Sequence, residues 1–356
     1  MSSVFGERIR ISVFGQSHGL KIGCVLDGLP AGEEVDEEAL YRYMARRAPG
    51  KTGATARRET DLPHIVSGLM EGKTCGAPLC VLIDNADAHS GDYAQFQDIP
   101  RPGHADYPAH VKWNGFQDYR GGGHFSARLT APVCAAGGIL AQMFARRGIM
   151  IGAHVLRAGT AQDTPFDPMN VSDQELSLLA EHYPQTLSEQ AGKEMLLQAE
   201  KARALGDSIG GVVECAVLHL PAGLGEPMFD GLENRLAQAV FAVPAVKGLE
   251  FGEGFAAAGL TGSVNNDAYR MKDGRVTLSS NHAGGILGGL STGAPVIFRA
   301  AFKPTPSIAQ PQLSVSLSRG ENAELSIRGR HDPCVALRAA PCVEAAAAIA
   351  LADFIL

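Results

Sequence analysis

Six short segments of this 356-residue chain set His, Arg, Ser or Asp beside Gly or Pro. In Phe14-Gly15-Gln16-Ser17-His18-Gly19 an imidazole stands on a tight turn directly after a strand-like run, with little to bury it; a surface turn is the plain alternative. Arg101-Pro102-Gly103-His104-Ala105-Asp106 joins a fixed cation, a turn, an imidazole and a carboxylate able to orient it. Residues 118–128 hold Gly121, Gly122 and Gly123 followed by His124, Phe125, Ser126 and Arg128. Successive backbone N–H groups in such a run make an anion-binding nest, and a flexible loop is the alternative. Arg46-Arg47 before Pro49, together with Arg57-Arg58-Glu59, reads as a solvated helix end, where the helix dipole favours Arg. Residues 280–289, followed by Lys303-Pro304-Thr305-Pro306-Ser307, offer small residues and polar tips that a flat ring can approach closely. Arg328-Gly329-Arg330-His331-Asp332 sets a cation and a carboxylate two residues apart. Together these segments describe an enzyme for a small, multiply anionic ligand, with Arg as anchor and His as acid–base. The reaction itself stays open at this level.

Familiar nucleotide motifs fail on context. Gly252-Glu253-Gly254-Phe255-Ala256-Ala257 fits a dinucleotide fingerprint, but Gly259, Thr261 and Gly262 follow where a helix should run. Gly50-Lys51-Thr52 and Gly72-Lys73-Thr74 resemble the end of a P-loop, yet the first glycine of that motif would fall on Ala45 and Ser67.

The elements that must position these groups are partly legible. The pattern predicts helices over 35–47, capped by Asp36; over 131–147, with Thr130 as N-cap and Gly148 beyond the end; and over 188–205, stopped by Gly206. Further helices are predicted over 231–241 and 343–354, and Ser172 with Glu175 has capping-box spacing. Strand-like runs fall at 9–14, 79–83, 149–156, 212–220 and 296–301. Helices and strands do not alternate strictly, so an α+β layered fold is expected. No linker is rich enough in Pro, Ser or charge to divide residues 1–356, which read as a single domain.

Composition limits the partners. A net charge of −7 attracts neither nucleic acid nor anionic lipid over long range, so cations for an anionic ligand must be gathered locally. The seven cysteines lack metal or redox spacing and read as reduced thiols of a cytoplasmic protein. The N-terminal ten residues do not form a signal peptide, and no apolar stretch is long enough to span a membrane.

The order and wording of the motifs resemble the chorismate synthase family from residue 14 to residue 353. Residues 15–19 resemble its GESHG turn; residues 101–106 read RPGHAD, and 119–131 resemble YRGGG..SARETA. Residues 206–210 read GDSIG, 245–252 resemble AVKGVEFG, 281–289 read NHAGGILGG, 303–308 resemble KPTSSI, and 329–334 read GRHDPC. Gln16 and Leu129 stand where those motifs carry Glu, and the loop at Gly53 lacks an Arg, with Lys51 nearby.

The resemblance implies a β-α-β sandwich, a homotetramer, and an anti-1,4-elimination that converts 5-enolpyruvylshikimate 3-phosphate to chorismate with reduced FMN. It implies Arg47, Arg101, Arg128 and Arg330 as cations for the leaving phosphate and His104 as its proton donor. It implies His18 near the N1/O2 edge of the flavin, Asp332 as acceptor of a proton relayed through flavin N5, and Ser17 and Ser126 as orienting groups. The flavin is expected against His124, Phe125, Ser126, Pro244, Ala245, Gly288, Lys303, Pro304, Thr305, Pro306, Ser307 and Arg330. NADPH bound by the same protein, or a separate flavin reductase, would supply the electrons. The alternatives are a bifunctional FMN/NADPH flavoprotein and a non-catalytic anion-binding relative.

Overall fold

Apolar patterning decides the layers. Thr130–Ala145 and Ala340–Ile355 are apolar around their whole circumference, so neither helix has a face for water. They pack on each other, Thr130–Ala145 against one sheet and Ala340–Ile355 against a second. Close approach is possible because Gly137 has no side chain: a Cβ there would lie 2.3 Å from Ala345 Cα. The computed structural model describes residues 3–53, 59–86, 95–327 and 332–356.

Both sheets are five-stranded and antiparallel. The first runs, in spatial order, Val4–Phe5, Arg10–Gly15, Lys21–Asp27, Leu79–Asp84, His64–Ser67. The second runs Val246–Phe251, Val296–Phe302, Gly211–Leu218, Met150–Ala158, Ala161–Gln162. The expected α+β layered β-α-β sandwich is therefore what the chain forms. Glu37–Arg47 packs on Thr130–Ala145, and Leu232–Phe241 packs on the C-terminal helix. Among the described residues, no helix is long and apolar enough to cross a membrane.

Local signals held where they were chemical. Asp36 accepts a hydrogen bond from Ala39 N, Ser172 from Glu175 N, and Ser188 from Ala191 N. Thr130 differs. A 3-10 turn over Ala127–Leu129 runs straight into the helix, so Thr130 is its first residue rather than its cap. Its hydroxyl instead donates to Ala127 O at 2.6 Å. Lys21–Asp27 was not legible as a strand because Gly23 interrupts it. That glycine makes room for Phe14, whose ring atoms would lie 2.5 Å from an added Cβ.

The glycines at 284–289 serve the fold. Gly288 and Gly289, with φ of 64° and 88°, form the two-residue turn between Ile286–Leu287 and Leu290–Ser291. Gly284 crosses Gly252 so closely that a Cβ would lie 2.3 Å from Gly252 N.

Candidate functional site

Gly121, Gly122 and Gly123 are all left-handed, with φ of 58°, 84° and 53°, a run that side chains would oppose. A Cβ on Gly121 would lie 2.2 Å from His18 Nδ1 and 2.7 Å from Ser17 Oγ. A Cβ on Gly122 would lie 3.0 Å from His104 Nε2. One glycine thus rests on His18 and the next on His104. Ser17 N donates to Gly123 O at 3.0 Å, which ties the first turn to the second. His18 is buried at 8% exposure, against the expectation of a solvated turn, because the glycine run lies across it. Asp118 steadies the entry, accepting from Arg120 N, Nε and Nη2 at 3.1, 2.8 and 2.9 Å.

The second constellation folds on itself. Asp106 Oδ2 accepts from Arg101 N and Nε at 3.0 and 2.7 Å, and Oδ1 accepts from Arg101 Nη2 at 2.9 Å. The same Oδ1 lies 2.6 Å from His104 Nδ1, which assigns the imidazole proton to Nδ1 and leaves Nε2 on the Gly122 side. Burial opposes the Asp106 charge, but hydrogen bonds from Arg101 and His104 outweigh it and hold the carboxyl well below the usual range. His104 is displaced the other way. Burial lowers its pKa, the Asp106 hydrogen bond opposes this, and the Arg101 charge adds to the lowering. The imidazole is neutral near pH 7.

Arg47 is not the solvated helix end expected from its charge run. It is 2% exposed, donating from Nε to Thr130 Oγ1 at 3.0 Å and from Nη1 to Asp61. Arg128 donates to Asp61 as well, and its Nε lies 2.8 Å from Asn85 Oδ1 and 2.7 Å from Glu59 Oε2. Arg46 turns away and pairs with Glu344 at 2.5 Å, deep between helix and sheet. Lys51 donates to Arg46 O and lies over the Tyr183 ring, so it does not fill in for the missing Arg at the cavity. Gln16 is exposed and Leu129 is in the core, so neither departure faces the cavity.

These groups surround a cavity of about 510 Å³. Arg47, Arg101, Arg128, His104 and Asp332 line it, with His124, Phe125, Ser126, Pro244, Ala245, Lys303, Thr305, Pro306 and Ser307. Ser17 and His18 lie behind Gly121 rather than on the lining. Pro304 packs toward Gly210 and Gly288 sits in its hairpin; neither lines the cavity. Arg330 lies outside the described residues, as do Arg57 and Arg58. Asp332 is ion-paired with Arg338, Nη2 to Oδ2 at 2.6 Å and Nε to Oδ1 at 3.2 Å. Burial opposes the Arg338 charge, yet Asp332 raises its pKa overall.

A family model described as chorismate synthase matches residues 9–356. The chain belongs to the chorismate synthase family. Curated relatives named chorismate synthase include one from Lancefieldella parvula, 47% identical, covering 99% of this chain and 96% of that one. Another, from Thermococcus kodakarensis, is 45% identical and covers 99% and 97%. A solved structure described as a crystal structure of chorismate synthase matches with a TM-score of 0.76 at 27% identity, covering 98% of this chain and 91% of that one. On the cavity lining of this chorismate synthase family member sequence reasoning missed Arg338, and behind the lining it missed Asp61. Arg338 follows Asp332 by six residues, in the turn before the last helix, and that spacing was the only available signal. Asp61 has none, since its partners lie on distant segments.

Proposed function

We propose that the cavity carries the elimination of phosphate from 5-enolpyruvylshikimate 3-phosphate to give chorismate, a carbon–oxygen lyase step of the shikimate pathway. The observation behind this reading is one cavity lined by Arg47, Arg101, Arg128, Lys303 and Arg338 together with His104, whose ring Asp106 holds from behind. A departing phosphate needs fixed cations and one proton, and this lining offers both. Arg330 joins the phosphate-binding set. The arriving dianion reverses the electrostatics at His104. It raises the proton affinity that burial and Arg101 had lowered, so Nε2 takes up a proton and delivers it to a phosphate oxygen. Asp106 keeps the ring oriented throughout. Asp332, held by Nε and Nη2 of Arg338, accepts the proton lost from C6. Ser17, behind Gly121, and Ser126, on the cavity wall, orient their histidine and substrate neighbours.

Reduced FMN, when bound, supplies electron density to the allylic system as the carbon–oxygen bond breaks. The wall fits such a group. Phe125 and Pro244 are flat and apolar, and Ala245 is left-handed at φ 76°, turning its backbone at the cavity. Thr305 Oγ1 is buried with no hydrogen-bond partner among the described residues, an unused donor on the lining. His124, Phe125, Ser126, Pro244, Ala245 and residues 303–307 would hold it, and His18 would hold a proton beside it. The protein works in the cytoplasm as a homotetramer of single-domain chains. NADPH or a separate reductase would supply the electrons for the flavin. Hydride transfer from NADPH to bound flavin separates these two.

The test is anaerobic. Protein, FMN, dithionite and 5-enolpyruvylshikimate 3-phosphate are mixed while chorismate absorbance and phosphate release are followed together. Equal amounts of both products, formed only with reduced FMN, are expected. Binding of substrate and reduced FMN with no product would overturn the lyase reading in favour of a non-catalytic relative.

A further inference from the structure

Arg47 and Arg128 are buried guanidiniums that share one carboxylate, and like charges so placed repel each other. Asp61 holds them together. Its side chain is fully buried and its backbone is left-handed at φ 52°, a conformation Asp and Asn tolerate better than other side chains. Oδ2 accepts from Arg47 Nη1 and Oδ1 from Arg128 Nη1. Burial opposes the Asp61 charge, but the two guanidiniums outweigh it and keep the carboxyl below its ordinary range. Arg128 shows the cost of the arrangement. Burial lowers its pKa, Asp61 and Glu59 oppose the lowering, and Arg47 adds to it.

A guanidinium carries five N–H groups. Arg47 uses Nε on Thr130, one Nη1 proton on Asp61 and one Nη2 proton on Ala127 O. Arg128 uses Nε on Asn85 and Glu59, one Nη1 proton on Asp61 and one Nη2 proton on Asp84 O. Among the described residues each therefore keeps two N–H groups uncommitted, on side chains that line the cavity. We infer that Asp61 is a positioning residue of the anion site, fixing the spacing of Arg47 and Arg128 and cancelling part of their charge. The phosphate is then oriented by the remaining N–H groups and still released. This rests on reading the cavity as a phosphate site.

Asp61→Asn keeps the volume and tolerates the same backbone while removing the charge. Calorimetry with inorganic phosphate should show binding about tenfold tighter than in the wild type, with a steeper loss on adding salt. In turnover, kcat should fall more than kcat/KM, because product phosphate leaves slowly. A residue that merely supports the fold would weaken phosphate binding and lower both constants alike. Unchanged or weaker phosphate binding by the folded variant overturns the inference. If Asp61→Asn does not fold, Glu59→Gln removes the other carboxylate on Arg128 and should tighten phosphate in the same direction by a smaller factor; no tightening there overturns it equally. If the wild type binds no phosphate, the reading of the cavity falls, and this inference with it. If it binds phosphate that neither variant tightens, only this inference falls.

Discussion

His154 is buried and His104 partly buried, and each gives a ring nitrogen to an aspartate, yet their pKa values are pushed in opposite directions. His104 shares Asp106 with Arg101, and burial together with that guanidinium lowers its pKa. His154 lies on the second sheet, between Asp163 at 3.2 Å and Glu214 at 3.0 Å. Burial opposes its charge as well, but two carboxylates outweigh burial and raise its pKa. Glu214 continues the row across the strands to Arg299 at 2.9 Å, and Arg299 reaches Glu250 at 3.2 Å. The register sets His154 and Arg299 opposite Glu214, and Glu250 opposite Arg299. In that row the histidine is fully committed: Phe166 covers its ring edge-on, and both its nitrogens are taken. At the cavity one nitrogen stays open and the imidazole is held toward its neutral form. The histidine with one carboxylate and a guanidinium beside it keeps a nitrogen for a ligand, and the histidine with a carboxylate on each nitrogen props a sheet.

The largest break in this comparison is His104→Ala. Turnover with reduced FMN should fall by about 10²–10⁴-fold, the usual worth of a positioned acid. Single-turnover phosphate release measures this, and near-wild-type activity would remove His104 from the reaction.

The matching change at the other histidine should act on stability alone. His154→Gln removes the group that joins Asp163 to Glu214 and leaves Asp163 without its cationic partner, which costs about 3–5 kcal/mol. Urea unfolding measures the loss. Turnover per folded molecule should stay within about twofold, because His154 does not line the cavity.

Gly122→Ala sharpens the comparison from the side of the glycine run. Its Cβ would sit 3.0 Å from His104 Nε2, on a backbone at φ 84°. A displacement of a fraction of an ångström at the acid should lower kcat by about 10–100-fold. The urea midpoint should move only modestly, and a variant with unchanged kcat would show that the spacing at Gly122 is not used.

Which of these features can be read from a sequence follows from their range. Asp36 and Ser172 cap helices through contacts three residues away, and their spacing gave them away; Ser188 caps its helix in the same way but was read only as the helix start. The His104–Asp106 pair is two residues apart and was equally visible. The Asp61 bridge joins residues 14 and 67 positions away, the closing of one turn on another buries His18, and the Glu250-to-Asp163 row exists only once four strands are in register. Arg47 was misread for the same reason. A helix-end arginine is ordinarily solvated, and nothing within its own helix says that Asp61 and Thr130 will meet it. Glycine clusters misled in the other direction, since 121–123 face the acid while 284–289 make a hairpin and a chain crossing.

The smallest expected effect lies in the pH dependence of stability, where the two histidines should pull in opposite senses. His154 is raised in the fold, so its stabilisation is complete below the unfolded pKa of about 6.5 and is lost as pH rises through the folded value. His104 is lowered, so between its folded value and about 6.5 the unfolded chain holds the extra proton, and stability is lost as pH falls through that window. Each contributes a slope of at most about 1.4 kcal/mol per pH unit, since one proton is involved. Urea titrations between pH 5 and 9 should find the alkaline slope flattened in His154→Gln and the acid slope flattened in His104→Gln. Adding inorganic phosphate should shrink the acid slope of the wild type, because the anion lets folded His104 keep its proton. If phosphate leaves that slope unchanged, His104 does not sense the anion, and its neutral state in the free protein is not the resting form of an acid.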